Sequence, residues 1–591
     1  MDFFALFLLV LTAGAVPLSP AASPLVDLGY ELHQATVNVT GGYYNFSNIR
    51  YGASTAGRLR FAPPQPPSRP PGPLRVNDGQ SAKVCPGALP AWLDVATTFA
   101  AGLNYTPANN TSTGAAVVDP RTSEDCLLLD LVVPRAVFDN RLGAPVLVWI
   151  HGGGFVSGDK SEQGNGAGLV ARSMEQGNAG IVYIAINYRL GLFVSSESTL
   201  GLDDGGVALL TENPQGWLAG TAFEEQSGSP NVGLMDQRLA LEWVRKHVRL
   251  FGGDPARVTV MAESAGAGST VLHMAGSASA GRRPPPPFQQ AIVQSPWLLP
   301  PPPKARQDAL YGDVLRLANA TTLLQLRSAS TATLQAANRM LISHAPYGTF
   351  VFGPTVDHVL VEGSSPASLL AAASSNVSGF PPVRLMVGHN SDEGILFTPP
   401  QALDERAFEP LLAQVLPAAS PATLLLLATD LYPATYGGGP SAAAYYASPL
   451  RRYATAYAEL AVTCAARQLL LLPGTHHAGY VWSVPPGWHS LDQAYTFYDG
   501  DGAPLDGAPA AAAASLAATM QRYFVNFASS GFPDRGLPVP VPFPAAAAAA
   551  GPAVVLNFST TAFGVARDHH FVDAERCRRW MDLSEELWAS A

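Results

Sequence analysis

One serine in the chain stands in a setting that favours nucleophilic chemistry. Residues 262–266 read AESAG, directly after the apolar run Arg257–Met261 and directly before a helix-compatible stretch. A sharp strand-to-helix turn holds a serine hydroxyl clear of the sheet, and it needs small residues two positions before and after the serine. Ala262 occupies the first of these positions instead of glycine, which makes the turn more crowded. The pattern predicts Ser264 as a nucleophile.

A glycine-rich segment predicts the hydrogen-bond donors that such a nucleophile needs. Residues 151–155 read HGGGF and directly follow the apolar run Ala144–Ile150. A developing oxyanion requires preorganised backbone N–H groups, and consecutive glycines let these groups point together. A flexible glycine turn is the alternative, but the position after a strand and upstream of the serine favours the donor role. We expect the amides of Gly153, Gly154 and Ala265 to form an oxyanion hole.

These residues require a sheet whose strands end where the chemistry takes place. Short, nearly continuous apolar runs are typical of parallel strands covered on both faces. Such strands are predicted at Ala144–Ile150, Gly180–Ile186, Arg257–Met261, Gln290–Gln294 and Val383–Val387. Helical periodicity follows at Leu234–Arg249 and at Ser515–Ala528. The alternation predicts an α/β doubly wound architecture.

Low-complexity segments interrupt this pattern. They are predicted to be surface insertions or loop padding, because their composition has no helical or strand period. These segments are Pro284–Pro287, Pro300–Pro303, Ala508–Ala514 and Ala545–Ala550. We find no internal repeat and no linker between two folding units.

The composition excludes several functional classes. The chain has 591 residues, of which 47% are hydrophobic, so a large core is possible, and its formal net charge is −10. An acidic surface repels nucleic acid, so no nucleic-acid partner is expected. The histidines lack zinc-like spacing, so neither a metal site nor a cofactor is expected. No pattern predicts an oligomeric state.

The N-terminus predicts export from the cell. Phe3–Ala15 is an apolar run of signal-peptide length, too short for a comfortable membrane span. Ala13–Ala15 has the small-x-small form that signal peptidase accepts, so residues 1–15 are predicted to be a signal peptide that is cleaved before Val16. The run is preceded by Asp2 and by no Lys or Arg, and a buried helix or an uncleaved anchor is the alternative.

Sequons and cysteines support the same prediction. Sequons for N-glycosylation occur at Asn38, Asn45, Asn104, Asn109, Asn110, Asn319, Asn376 and Asn557. The four cysteines permit three pairings, and an oxidising compartment favours disulfides. The C-terminal WASA carries no hydrophobic tail for a lipid anchor. We expect a soluble, secreted, extracellular glycoprotein without a stable membrane anchor.

Several segments, in order along the chain, resemble the type-B carboxylesterase/lipase family, which also holds cholinesterases and secreted fungal lipases. They are SEDCLLLDL (123–131), HGGGF, NYRLG (187–191), NVGLMDQRLALEWV (231–244), FGGDP (251–255), AESAG and SDEG (391–394). The resemblance implies one α/β-hydrolase domain over residues 16–591, with a large, mostly parallel central sheet and helices on both faces. It also implies a carboxylic ester hydrolase, an esterase or a lipase.

The resemblance extends to the other two catalytic residues. α/β-hydrolases place the acid after the serine and the histidine last, and the family acid is a glutamate in a D-E-G sequence, which matches Glu393. Asp392 is the local competitor. The family histidine stands in an H-x-x-(D/E)-x-x-(Y/F)-x-F setting, which His489 fits, with His477 as the next choice. The downstream histidines considered were His476, His477, His489, His569 and His570.

The implied mechanism is two-step acyl transfer through an acyl-enzyme. Ser264 attacks the ester of a small molecule or a lipid, and His489 acts first as general base and then as general acid. Glu393 accepts the imidazole Nδ1–H, fixes the tautomer and stabilises the imidazolium. An amide or thioester hydrolase is an alternative, because a triad alone does not exclude these substrates. A non-catalytic adhesion member of the fold is another, disfavoured by the presence of every triad position.

Other residues take structural roles by the same resemblance. It implies the disulfides Cys85–Cys126 and Cys464–Cys577, with four free buried thiols as the alternative. It also implies an ion pair between Arg60 and Glu124. Glu263 matches a family glutamate that influences charge at the site, and a purely structural carboxylate is the equal alternative.

The chain departs from the family in the loop between its first two cysteines. Cholinesterases carry a tryptophan near the second cysteine, which binds quaternary ammonium by cation–π contact. The corresponding stretch NNTSTGAAVVDPRTSEDC has no aromatic residue, and Trp92 lies at the other end of the loop. Choline esters are therefore not expected as substrates. An insertion at about Gly201–Pro230 also departs from the family pattern.

Overall fold

The computed structural model describes most of the chain. The described residues are 23–102, 119–162, 164–192, 217–278, 285–372, 383–436, 446–472, 477–500, 510–544, 553–561, 563–568 and 571–591. Several of the residues singled out from the sequence lie outside these ranges. They are the predicted signal peptide 1–15, the sequons Asn104, Asn109, Asn110 and Asn376, the alanine run Ala545–Ala550, and His476, His569 and His570.

Strands form two sheets in the described residues. The strands are β1 Leu25–Asp27, β2 Leu32–Gln34, β3 Thr36–Asn38, β4 Tyr43–Arg50, β5 Val76–Asn77, β6 Leu128–Pro134, β7 Ala144–Ile150, β8 Val182–Ile186, β9 Gly253–Glu263, β10 Gln290–Gln294, β11 Arg384–Asn390, β12 Ala478–Trp482, β13 Val554–Phe558 and β14 Gly564–Arg567. The large sheet has eleven strands in the order β14-β13-β12-β11-β10-β9-β7-β8-β6-β4-β3. Strands β8 to β13 run parallel with β7, and the outer strands pair antiparallel.

Helices connect the strands and cover the sheet. They are α1 Leu93–Ala100, α2 Arg135–Asn140, α3 Ala167–Ser173, α4 Thr221–Glu225, α5 Val232–His247, α6 Ser264–Ala278, α7 Lys304–Leu317, α8 Leu323–Ser328, α9 Thr331–Ser343, α10 Pro366–Ala372, α11 Phe408–Val415, α12 Pro421–Leu426, α13 Pro449–Ala458, α14 Cys464–Leu470, α15 Leu491–Thr496, α16 Ala510–Ser530 and α17 Ala574–Ala589. None of the helices in the described ranges is both long enough and apolar enough to cross a bilayer.

The central strand β7 explains why the sheet needs helices on both faces. Successive side chains of a strand point to opposite faces, and every residue of β7 is buried. Val146 and Val148 belong to one apolar core, while Leu147 and Trp149 belong to a second. The first core includes residues of α5 and α6, and the second includes residues of α3 and α16. The predicted α/β-hydrolase architecture is confirmed.

Two of the low-complexity predictions are wrong. The alanine stretch 508–514 was expected to be loop padding, but α16 begins at Ala510 and buries Ala513 against the sheet. Alanine has the highest intrinsic helix propensity, and a run of it joins an adjacent amphipathic helix readily. The proline run Pro300–Pro303 was expected at the surface, but Pro300 and Pro301 are buried and line a cavity.

The parallel strands bring the predicted site residues to one edge of the sheet. Ser264 directly follows β9, Glu393 follows β11 by three residues, and His489 stands in the segment after β12. Because β9, β10, β11 and β12 are parallel neighbours, their carboxyl ends meet at the same edge. Three residues that are more than 90 positions apart in the chain can therefore come together there.

Candidate active site

Ser264 stands on a tight turn between β9 and α6. It is the first residue of α6 and has a left-handed backbone with φ of 51°, which is uncommon for a residue other than glycine. Close packing holds the turn in this conformation. A Cβ atom on Gly266 would lie 2.3 Å from the carbonyl oxygen of Ile150 and 2.6 Å from that of His151. Glycine two positions after the serine is therefore required for α6 to approach β7.

The structure brings Ser264, His489 and Glu393 into one hydrogen-bonded chain. The Nε2 atom of His489 lies 2.9 Å from Ser264 Oγ, and Nδ1 of the same ring lies 2.5 Å from Glu393 Oε2. All three side chains are buried. When Nδ1–H donates to the carboxylate, Nε2 carries the lone pair and accepts the serine hydroxyl. This arrangement can transfer a proton from the hydroxyl to the imidazole.

Two further hydrogen-bond donors hold the carboxylate of Glu393 in place. Ser295 Oγ–H donates to Glu393 Oε1 at 2.7 Å, and the backbone N–H of Asn390 donates to the same oxygen at 2.5 Å. Burial raises the pKa of the Glu393 carboxyl, but the charge of the adjacent His489 and the hydrogen bonds from His489 and Ser295 hold it below its usual value. Glu393 therefore remains an anion. Its second oxygen is left to face the imidazole.

A second buried carboxylate lies behind the first. Asp492 accepts hydrogen bonds from Tyr480 OH at 2.7 Å, Gln294 Nε2 at 2.9 Å and Asn390 Nδ2 at 3.2 Å. Burial raises the pKa of Asp492 despite these donors. Asn390 thus joins the two carboxylates, with its backbone amide on Glu393 and its side chain on Asp492. Asp492 stands at the D/E position of the motif around His489, but its partners were not predicted, because Gln294, Asn390 and Tyr480 are single polar residues on three separate strands.

A third carboxylate, that of Glu263, faces the imidazole from the other side. Its Oε1 lies 3.4 Å from His489 Nε2 and accepts the Ser490 hydroxyl at 2.5 Å. Burial raises the pKa of Glu263 to about 8. Burial alone would lower the pKa of His489, but Glu393 and then Glu263 raise it to about 9. Of the two roles left open by the sequence, the geometry favours an influence on the charge of the site.

The glycine segment follows β7 and lies beside the serine. Gly153 and Gly154 have left-handed backbones with φ of 96° and 61°. A Cβ on Gly153 would lie 2.2 Å from the carbonyl oxygen of Ser157, and one on Gly154 would lie 2.3 Å from the Phe350 ring. A Cβ on Gly152 would lie 2.9 Å from Cβ of Ser264. Only glycine allows the segment to pass this close to the serine.

Aromatic rings enclose the imidazole. The ring of Phe397 packs edge-on against His489 with centroids 5.2 Å apart, and that of Trp297 lies 6.3 Å away. Trp92 packs against Phe397 at 5.9 Å and against Phe350 at 5.7 Å. The sequence placed Trp92 at the wrong end of its loop for a cation–π site. In the fold it is 6% exposed, and it contributes to the ring cluster.

The residues that competed for the same roles lie elsewhere. The Asp392 carboxylate pairs with Arg451 Nη1 at 2.5 Å, whereas Nδ1 of His489 contacts Glu393. His477 is buried immediately before β12, whereas Ser264 follows the carboxyl end of β9. The two parallel strands therefore place His477 and Ser264 at opposite edges of the sheet.

The structure also contains the implied cross-links. The disulfides Cys85–Cys126 and Cys464–Cys577 are both formed, and Arg60 Nε lies 3.5 Å from Glu124 Oε2 in the buried interior. A second buried ion pair was missed, although both of its members stand in the quoted motifs. Arg189 Nη2 donates to Asp236 Oδ1 at 2.6 Å and joins the NYRLG segment to α5. Within the described ranges, no group of His, Cys, Asp and Glu side chains is arranged to hold a metal ion.

Comparison with known proteins identifies the family. The profile of the carboxylesterase family matches residues 31–198 and 213–424. The carboxylesterase patB of Aspergillus clavatus is 37% identical over 538 residues, which cover 87% of this chain and 89% of that protein. The carboxylesterase patB of Penicillium expansum is 34% identical over 588 residues, which cover 95% of this chain and 96% of that protein.

A solved structure shares the fold. The crystal structure of Aspergillus niger EstA superposes with a TM-score of 0.72 at 21% identity, covering 96% of this chain and 99% of EstA. The family profile, the two fungal relatives and this fold agree with one another. The chain belongs to the carboxylesterase family and is a carboxylic ester hydrolase.

Proposed function

We propose that this protein is a secreted serine esterase that works through an acyl-enzyme, with Ser264, His489 and Glu393 as its catalytic triad. The observation that carries the proposal is the continuous chain of contacts from Ser264 Oγ through both nitrogens of His489 to Glu393. A hydroxyl, an imidazole and a buried anion in this order form the arrangement that activates serine in unrelated hydrolases.

The reaction begins when the serine oxygen attacks the ester carbonyl carbon. The hydroxyl proton passes to His489 Nε2 as the bond from Oγ to carbon forms, and the carbonyl oxygen becomes an oxyanion. The amides of Gly153, Gly154 and Ala265 stabilise this oxyanion. The bond from carbon to the alcohol oxygen then breaks, and the imidazolium gives its proton to the leaving alcohol.

The second half of the reaction repeats the first with water. His489 removes a proton from water, whose oxygen attacks the acyl-enzyme carbon, and the bond to Ser264 Oγ breaks. The serine recovers its proton from the imidazolium, and the carboxylic acid leaves. Glu393 keeps the Nδ1–H tautomer in place through both halves. No group beyond these side chains, the backbone amides and water enters the proposed sequence.

Secretion and a single catalytic domain are part of the same proposal. The apolar segment Phe3–Ala15 and the two disulfides support an oxidising, extracellular location. The eleven-stranded sheet, which includes strands from β3 to β14, supports one folding unit over residues 16–591. Secretion predicts that the mature protein, cleaved before Val16, appears in the medium of an expressing eukaryotic cell.

The test is hydrolysis of p-nitrophenyl acetate by the secreted protein and by paired variants. Ser264→Ala is expected to lower kcat by about 10⁴-fold or more, because single triad deletions in other hydrolases cost about that much. His489→Ala is expected to lower kcat comparably. The matched control His477→Ala is expected to retain activity, because that histidine lies at the other edge of the sheet.

Covalent labelling gives an independent measurement. A fluorophosphonate probe is expected to add one label to the wild type, at the peptide that contains Ser264, and none to Ser264→Ala. A folded Ser264→Ala variant with wild-type turnover would refute the proposed nucleophile. Turnover of p-nitrophenyl acetate that depends on His477 instead of His489 would refute the proposed base.

A further inference from the structure

A second cavity, of about 280 Å³, lies beside strand β4. Its described lining comes from β3, β4, β6 and the segments 78–82 and 160–161, and it includes no residue of the candidate active site. Strand β4 is irregular at this point, because three steps from Phe46 to Ile49 oppose two steps on β6. The extra residue of such a bulge leaves the regular ladder. Asn48, in the bulge, has a left-handed backbone with φ of 59°.

The lining is polar, and its buried charges are already paired. The ammonium of Lys160, which is 5% exposed, donates to Asp130 Oδ2 at 2.7 Å. The other oxygen of that carboxylate accepts the backbone N–H of Asn48 at 2.6 Å. Asp78 is the remaining charged residue of the described lining, and it is exposed to solvent. The cavity therefore suits a polar occupant without a charge.

Two buried oxygen atoms of the lining residues lack a donor. Asn48 is 5% exposed, and its Nδ2 donates to the carbonyl oxygen of Gly79 at 2.7 Å, which fixes the orientation of the amide. Its Oδ1 has no hydrogen-bond partner in the described part of the chain, and the same is true of Oδ1 of Asn45. A buried acceptor without a donor is costly. An occupant with hydroxyl or N–H groups would supply the missing donors.

One wall of the cavity is itself a glycosylation sequon. Residues 45–47 read NFS, and both Asn45 and Ser47 line the cavity. Asn45 is partly exposed, and within the described ranges its Nδ2 donates no hydrogen bond. The sequon on the neighbouring strand differs, because Asn38 Nδ2 donates to the Tyr43 hydroxyl at 2.8 Å. The nitrogen of Asn45 is thus free to carry a sugar at the edge of a polar cavity.

We propose that Asn45 carries an N-linked oligosaccharide whose first N-acetylglucosamine occupies this cavity and stabilises the bulge in β4. The sugar is uncharged, and its hydroxyl and acetamido groups offer donors to Asn48 Oδ1. The cavity is slightly smaller than the range of about 300–1,000 Å³ that is typical of pockets for drug-sized ligands. It therefore accommodates one sugar residue, and the rest of the oligosaccharide extends into solvent.

The attachment follows the chemistry of N-glycosylation and rests on the proposed secretion. The donor is an oligosaccharide diphospholipid of the secretory pathway. Asn45 Nδ2 attacks C1 of the first sugar, and the bond from C1 to the phosphate oxygen breaks. The diphospholipid leaves as an anion, and Nδ2 loses one proton. Because transfer precedes folding, β4 then pairs with its neighbours around the sugar.

The test uses the full chain expressed in yeast and recovered from the medium. Glycopeptide mass spectrometry is expected to find an oligosaccharide on Asn45. Endoglycosidase H trims high-mannose oligosaccharides to the first N-acetylglucosamine, and this trimming should leave the apparent Tm unchanged. Asn45→Gln removes the whole oligosaccharide and should lower the apparent Tm by about 2 °C, the effect of losing a few hydrogen bonds in a chain of this size.

Matched variants separate the sugar from the side chains. Ser47→Ala removes the sequon but retains Asn45, and it should lower the apparent Tm as Asn45→Gln does. Ser47→Thr preserves the sequon and should retain both the sugar and the wild-type Tm. Asn319→Gln is the control for an exposed sequon beyond α7, and it should leave the Tm unchanged.

The outcomes separate this inference from the proposed esterase. Secreted protein without a sugar on Asn45 would overturn the inference, and so would equal Tm values for the wild type, Asn45→Gln and Ser47→Ala. A Tm that falls on trimming would place the stabilising contacts outside the cavity and overturn it too. All of these variants should hydrolyse p-nitrophenyl acetate at the wild-type rate. A chain that never reaches the medium would overturn the proposed secretion together with this inference.

Discussion

Glu263 and Ser264 are adjacent in the chain, yet the carboxylate of Glu263 reaches past its neighbour to within 3.4 Å of His489 Nε2. This is the same ring nitrogen that contacts the serine hydroxyl. Three buried carboxylates therefore act on one imidazole, those of Glu393, Glu263 and Asp492. Together they raise the pKa of His489 to about 9 against the opposing effect of burial.

This relationship predicts a pH profile. Only neutral His489 can accept the serine proton, so kcat/KM falls as the pH falls through the pKa of His489. Because that pKa is raised, the acid limb of the profile should lie above the usual histidine value of about 6.5. Glu263→Gln removes one of the carboxylates, lowers the pKa of His489 and should move the limb to lower pH. Profiles of p-nitrophenyl acetate hydrolysis measure the shift.

The control for this prediction keeps the charge. Glu263→Asp retains a carboxylate and should leave the limb closer to its wild-type position than Glu263→Gln does. A Glu263→Gln profile that coincides with that of the wild type would mean that Glu263 has no effect on the charge of His489. Its role would then be purely structural.

Replacing the acid of the triad should affect catalysis much more than binding. Glu393→Gln removes the anion that accepts the Nδ1–H and stabilises the imidazolium, so kcat is expected to fall by about 10⁴-fold with little change in KM. Asp392→Asn is the matched control, since that carboxylate pairs with Arg451, and it should retain the wild-type rate. Steady-state kinetics of both variants test the assignment, and the opposite order of losses would reverse it.

The turn at Ser264 should be sensitive to a single methyl group. Gly266→Ala would place a Cβ 2.3 Å from the carbonyl oxygen of Ile150, so α6 must move away from β7 and carry Ser264 with it. A displacement of about 1 Å at a reacting group can lower the rate about 10²-fold. Gly312→Ala, at an open position on α7, is the control and should leave kcat unchanged. Equal rates for the two variants would contradict the packing argument.

The sequons should not be used equally. Asn319 lies just beyond α7 and is exposed, so an oligosaccharide on its side-chain nitrogen can extend into solvent. Asn557 lies in β13, is 8% exposed and accepts a hydrogen bond from the Ser483 hydroxyl. Peptide mass spectrometry of protein secreted by a eukaryotic host should find glycan at Asn319 and none at Asn557. Asn319→Gln should increase electrophoretic mobility, whereas occupied Asn557 would show that the folded strand does not exclude the glycan.

The sequence predicted the central strands well because parallel strands buried on both faces are apolar throughout. The predicted bounds of Ala144–Ile150 and Gln290–Gln294 match β7 and β10, and the predicted helix at 234–249 overlaps α5. Short strands such as β1 and β5 were not predicted, because two or three residues are too few to show a period. The antiparallel strands β4 and β6 were also missed, although they have eight and seven residues.

The sequence predicted the site residues that stand in motifs, and its prediction of the other site residues was incomplete. Ser264 and the glycines carry a local signal, because a sharp turn and a close backbone approach require particular residue types. Glu393 and His489 were identified only through family resemblance. Ser295 was missed because it contacts Glu393 from the end of a neighbouring strand, and Asn390 because its side chain contacts Asp492 on α15. No local pattern marks a residue whose partner lies about a hundred positions away in the chain.

The cavity lined by Pro300 and Pro301 draws most of its walls from parts of the chain that do not carry the reacting groups. Much of its lining comes from the stretches around residues 297–302, 306–313, 346–354 and 414–417 and from Trp588, whereas Phe155 follows the glycine segment and Leu272 belongs to α6. The nucleophile, base and acid follow β9, β12 and β11. After gene duplication, substitutions in the walls could therefore accumulate without displacing the strand ends. Natural selection acting on such copies can change the shape and polarity of the cavity while the reaction at the strand ends is preserved.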